Sequence, residues 1–253
     1  MKIKLLLICL VTQSLFSQQK IIDSLTSVAK SPISDSLKIK TYGDLSWYYG
    51  NISIDSAFHY GNLALELSKK TNHQIGEAQA YNDLGILHYR LGEFNKSIRL
   101  YHQSLNIRNK LGDSIGMASI YNKLGIAYHR ISKMDSALAY DYKALNFYKK
   151  IDNKPYIALI NNNIANVYRG LKQFDKALTI HLEVSKIHEE RQNFSGLMDS
   201  YNNIGNVYLD LTDTVQTINY YQKAIVIGEQ NNFQRQLSAL YNNYASILKN
   251  VGT

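Results

Sequence analysis

Asparagines recur along this chain at a spacing suited to holding another polypeptide. Asn82, Asn122, Asn162, Asn202 and Asn242 stand 40 residues apart, and Asn163, Asn203 and Asn243 directly follow the last three. A side-chain amide offers two donors and an acceptor. It can therefore pair with the N–H and C=O groups of a peptide backbone whatever side chains that peptide carries. Asn is a mediocre helix former, so Glu or Lys would fill a helix-surface slot at less cost. Two readings of the row stand side by side: contact with a ligand, or a ladder of bonds from one helix to the next. Duplication copies neutral residues too, so five recurrences are not five independent observations. The slot after each first Asn has diverged to Asp83 and Lys123 before returning to Asn, which gives weight to the unchanged position.

The elements that carry this row repeat with it. YNDLG at 81 returns as YNKLG at 121, NNNIA at 161, YNNIG at 201 and YNNYA at 241. A fixed period of this size implies stacked supersecondary units, each burying its apolar face against its neighbours. In the unit from Ile75, the residues Ala78, Tyr81, Leu84, Gly85 and His88 fall at three- and four-residue steps, one face of a helix. Gly92-Glu93 breaks it. Phe94, Ser97, Tyr101, Ser104 and Leu105 mark a second helix, and Gly112-Asp113 turns into the next unit. Helices of about 15 residues are marginal alone, so packing between units must stabilise them. Gly85, Gly125, Ala165, Gly205 and Ala245 share one slot in the first helix. Gly there costs about 1 kcal/mol against Ala, which predicts close approach of the paired helix, with Ala137, Ala144 and Ala177 as matching small contacts.

An aromatic, Leu-Gly and a second aromatic on one helix, then a small residue and an aromatic on the next, resemble the tetratricopeptide repeat (TPR). YNKLGIAY from Tyr121 with Ala137, and YNNIGNVY from Tyr201 with Ala224, carry the resemblance. So do Gly92-Glu93-Phe94 and the stretch from Gln173 to Leu178. It covers residues 39–253 and implies an all-α fold, an α-solenoid of stacked antiparallel helix pairs in a right-handed superhelix. The units expected are 39–74, 75–114, 115–154, 155–194, 195–234 and a half unit 235–253, after an N-terminal helical segment over 18–38. The period of 40 is similar to the long-helix variety. The pattern departs in three places: a shorter first unit with Trp47, Tyr48 and Tyr49, Asp141 where other units show Tyr101 or Tyr221, and a turn at 211–214 without glycine or aromatic.

In such an array the first helices line the concave side. The predicted groove candidates are Asn82, Asn122, Lys123, Arg130, Asn162, Asn163, Asn166, Arg169, Asn202, Asn203, Asn206, Asn242 and Asn243. Packed helices lie about 8–10 Å apart and an extended chain rises about 3.3 Å per residue. A row of amides could therefore hold a peptide every two or three residues. Long-repeat members that bind peptides use asparagines directly before the Leu-Gly pair, the place of Asn163, Asn203 and Asn243. The resemblance thus implies a protein or peptide partner and a grip better developed in the C-terminal half.

Other chemistry finds no support. There is no Gly-rich phosphate loop, HExxH or GxSxG, so no enzyme activity and no cofactor are expected. His181, His188 and Glu183 share a predicted helix but read as packing or surface residues, and no metal site is assigned. The chain has 253 residues, 45% hydrophobic and 19% charged, enough for a sizeable core. Lys2 and Lys4 precede an apolar run, Leu5 to Val11, too short to span a bilayer. Residues 1–17 read as a secretory signal, and the single cysteine, Cys9, would leave with it. The net charge then falls from +8 by the two lysines to +6. Spread along the chain, it reads as a solubilising surface and not a nucleic-acid footprint. The expected location is periplasmic or extracellular. Ala239, Leu240, Tyr244, Ile247 and Leu248 on the last helix are expected to need a partner, by self-association or by a continuation after Thr253. Export followed by long repeats resembles the sensory region of Bacteroidetes signal-transduction proteins.

Overall fold

A computed structural model describes residues 18–251, and every regular element among them is a helix. Helix α1 covers residues 18–30, followed by α2 (Asp35–Tyr49), α3 (Ile54–Lys70), α4 (Gln74–Arg90), α5 (Phe94–Lys110) and α6 (Ser114–Arg130). Then come α7 (Met134–Lys150), α8 (Lys154–Gly170), α9 (Phe174–Glu190), α10 (Phe194–Asp210), α11 (Thr214–Gln230) and α12 (Gln234–Val251). The expected secretory signal and Cys9 lie outside the described residues. From α3 to α11 each helix has 17 residues and each connection three, so a helix with its turn takes 20 and a pair takes the 40 seen in the sequence. No helix among the described residues is long and apolar enough to cross a membrane.

The turns share one geometry. Asn72, Gly92, Gly112, Ser132, Asp152, Lys172, Gln192, Thr212 and Asn232 all have positive φ, between 48° and 76°. The next N–H returns to the carbonyl five residues back, as in Glu93 to His88 (2.9 Å) and Asp213 to Tyr208 (2.9 Å). This is the Schellman closure, in which a left-handed residue satisfies the last orphan carbonyls of a helix. Only two of the nine turns use glycine, so the sequence signal for the others was weak. The turn at 211–214, which lacks the usual residues, closes like the rest. The residue after the left-handed position caps the next helix in several units: Asp113, Asn153, Asn193 and Asp213 each accept a backbone N–H with a side-chain oxygen.

The chain forms two compact units divided between Lys123 and Leu124. In the first, α2 packs on α3, α3 on α4 and α4 on α5, and α2 also touches α4. Its core gathers Ile22, Ala29 and Leu45, and separately Ala57, Leu84 and Leu87 under Tyr49 and Phe58. In the second, α7 through α12 each pack on the next. Met198, Tyr221, Ala224, Ile225, Leu237, Leu240 and Ile247 form one cluster. The apolar face of α12 is therefore covered at Leu237, Leu240 and Ile247, two of which were expected to need an outside partner, while Ala239 and Tyr241 stay exposed.

The glycine slot of the first helices does mark close approach, but the partner is large. A Cβ on Gly85 would lie 2.6 Å from the Tyr101 ring, and one on Gly205 would lie 2.6 Å from the ring of Tyr221. Ala137, Ala144 and Ala177 are fully buried, but the observed partner of Gly85 and Gly205 is an aromatic ring on the second helix, and that of Gly125 is Asp141. Gly205→Ala is expected to lower stability by about 1–3 kcal/mol through overpacking, despite the gain in helix propensity. Thr212→Gly is expected to act oppositely, because a β-branched residue at φ 60° carries strain that glycine lacks. The gain is about 0.5–1 kcal/mol after the entropy glycine adds to the unfolded chain. Thermal unfolding of the two variants checks both signs.

Candidate functional site

Four of the predicted residues meet in one cleft of the second unit. Arg130 near the end of α6 and Asn163, Asn166 and Arg169 on α8 line a cavity of about 460 Å³, with His129 and Gly125 of α6, Asp141 of α7 and Asp210 of α10. Asn163, Asn166 and Arg169 meet because three-residue steps put them on one face of α8, and Arg130 of the preceding first helix lines the same cleft. Arg169 donates its Nε to Asp210 Oδ2 at 2.5 Å. Burial and the neighbouring Arg130 charge hold the His129 imidazole below its ordinary range.

Asp141 departs most from expectation for a buried residue. It is fully buried, and neither carboxylate oxygen has a hydrogen-bond partner. Burial raises its carboxyl to about 8, because the charged form is poorly solvated and nothing compensates it. One period further on is His181, also fully buried with both ring nitrogens unpartnered. Burial, then the Arg169 charge, pushes it down to about 4. The sequence reading noted both residues but gave neither a site. The usable signal was the register Gly61, Tyr101, Asp141, His181, Tyr221, in which two ionisable residues replace a ring.

The remaining candidates divide between bonding within the fold and exposure. Asn203 Nδ2 donates to Asn162 Oδ1 at 2.9 Å, joining α10 to α8. That is a rung of the structural ladder, and both residues line a second cavity of about 400 Å³ with Tyr156, Leu159 and His188. Asn206 Oδ1 accepts the Tyr221 hydroxyl at 2.6 Å, so this amide seals a helix pair. Asn202 is half-buried with an unpartnered Oδ1, whereas Asn242 and Asn243 are exposed on α12.

In the first unit the candidates serve a charged network. Asn82 is buried and donates to Asp83 Oδ1 at 2.9 Å, as does Gln79. Burial raises Asp83 to about 6 against those bonds and the Lys123 and Arg108 charges. Lys123 donates to Ser119 Oγ at 2.7 Å, and burial lowers its ammonium. Asn122 is half-buried. None of the thirteen candidates lines a cavity of about 680 Å³ in this unit, around Trp47, Lys40, Asp44, His73 and Arg108. Trp47 there is 58% exposed, with the Arg90 guanidinium 5.5 Å over its ring. The sequence reading flagged Trp47 only as a departure, since it has no counterpart in the other units.

Comparison with known proteins places the fold. The chain is similar to the crystal structure of BtubC (BKLC) from P. vanneervenii at 20% identity, covering 87% of this chain and 92% of that one, with a TM-score of 0.73. It is similar to a signal-transduction ATPase with a tetratricopeptide repeat sensor from Pyrococcus horikoshii at 17% identity and TM-score 0.79, covering 93% of this chain and 36% of that one. A Rap protein complexed with Competence and Sporulation Factor aligns at 17% identity and TM-score 0.71, covering 96% of this chain and 72% of that one. No curated protein sequence matches. The tetratricopeptide repeat profile matches residues 76–150, 116–190 and 156–230, more than half of the chain. With paired helices of 17 residues repeating every 40, the chain belongs to the tetratricopeptide repeat family.

Proposed function

We propose that this protein is a non-enzymatic binding module whose second unit holds an extended peptide by its backbone, using side-chain amides of its first helices. The observation that carries the reading is the cleft where Asn163, Asn166, Arg130 and Arg169 converge. Amides and guanidinium groups lining one cleft are the donor and acceptor types that a peptide backbone pairs with. The similar Rap fold crystallised with Competence and Sporulation Factor supports a peptide as the kind of partner. The short apolar run from Leu5 to Val11 behind two lysines supports work outside the cytoplasm, as the sensory or scaffold part of a signalling protein.

Random 12-residue peptides selected on the full chain supply the binding probe. Asn163→Ala combined with Asn166→Ala is expected to weaken the selected peptides about tenfold, the worth of one or two hydrogen bonds. Asn162→Ala is expected to lower the melting temperature, because it breaks the rung to Asn203. Full affinity in the double variant would overturn the grip. For location, residues 1–30 fused to alkaline phosphatase, active only after export, are expected to give active enzyme in a bacterial host. An inactive cytoplasmic fusion would remove the extracytoplasmic reading.

A further inference from the structure

The second-helix slot facing the small residue holds a tyrosine ring at Tyr101 and Tyr221, and each ring packs on its glycine. In the two units between them the slot holds Asp141 and then His181. The shorter side chain of Asp141 lies against Gly125, where a Cβ would meet Asp141 Oδ1 at 2.0 Å, and the cleft of about 460 Å³ opens beside it. A buried carboxylate that accepts no hydrogen bond is costly in any fold. Here it also borders a cleft large enough for a ligand side chain.

The chemistry around Asp141 narrows what that side chain can be. Arg169 is already engaged by Asp210, and Arg130 is exposed, so solvent screens its charge. The buried carboxylate is screened far less. Its two unpartnered oxygens suit the two parallel N–H donors of a guanidinium fork, a group weakly enough hydrated to enter such a site. The geometry points to the cleft over Asp141 as a subsite for the arginine side chain of a bound peptide, its guanidinium donating to both carboxylate oxygens. This rests on the peptide-binding reading above and adds the identity of one recognised side chain.

The raised carboxyl of Asp141 supplies a sign. Pairing with a guanidinium requires the ionised form, so binding expels a proton at neutral pH, and affinity rises as pH climbs through about 8. The other charged and titratable groups lining the cleft are His129, Arg130, Arg169 and Asp210. The His129 imidazole, held below its ordinary range, loses any residual charge in the same direction, and the arginines keep theirs.

The test compares acetyl-Ala-Arg-Ala-amide with its citrulline counterpart, a neutral isostere, by calorimetry on the full chain at pH 6 and pH 9. The arginine peptide is expected to bind at least about tenfold tighter than the citrulline peptide, more so at pH 9. Asp141→Asn is expected to remove that preference and its pH dependence. Asp141→Tyr, which restores the ring seen at Tyr101 and Tyr221, is expected to fill the cleft, raise the melting temperature and abolish the preference. Equal binding of the two peptides, both weakened by Asn163→Ala, would overturn the arginine subsite while leaving the backbone grip intact. No binding of the arginine peptide at millimolar concentration, or an undiminished preference in Asp141→Asn, would overturn it as well.

Discussion

The contact between a glycine on the first helix and a side chain sixteen residues further on, on the second, sets how tightly a helix pair closes. Two rings show the rule, Tyr101 on Gly85 and Tyr221 on Gly205, each near enough that a single added methyl would collide. Glycine in mid-helix is unfavourable by itself, and the ring burial it permits offsets that cost. The hydroxyl at the end of the Tyr221 ring then ties to Asn206. One residue type thus couples core packing to the face where ligands are expected. Asp141 breaks the coupling, and a polar cleft opens at that place.

Uniform turns make this substitution possible. Every connection from α3 onward spends three residues and closes through a left-handed residue with the same return bond. Helices of identical length joined by identical turns keep their slots in register, so a change at one level leaves the next undisturbed. A repeat array has this property in general, because each unit contacts only its neighbours. The second-helix slot can therefore hold tyrosine at one level, aspartate at the next and histidine at the one after. Both buried ionisable residues are displaced from their ordinary protonation behaviour by burial, because the charged form is poorly solvated there.

The asparagine row divides once distances are known. Asn162 and Asn203 bond to each other and Asn206 bonds to Tyr221, so these amides join helices. Asn163 and Asn166 line the cleft, one and four residues beyond Asn162. The ladder reading thus holds at Asn162 and Asn203, while Asn163 and Asn166 border the cleft that the peptide proposal uses. A residue-type pattern could not show this, because an amide that joins two helices and one that borders a cleft look alike in one dimension.

Periodicity alone determined that the chain is all-helical, that its units take 40 residues, and that the first helices carry Leu84, Leu124, Ile164 and Ile204 inward. These follow because helical spacing and burial are local properties that a repeat makes visible several times over. Turn geometry was only half legible, since seven of the nine left-handed positions hold residues other than glycine. Only the tertiary structure decided which asparagines bond within the fold, that Leu240 and Ile247 are covered by α11, and that Asp141 is buried without a partner beside a cleft. The physical reason is that each depends on a distance between residues on different helices. The period puts such residues at the same level, and packing alone decides whether they touch.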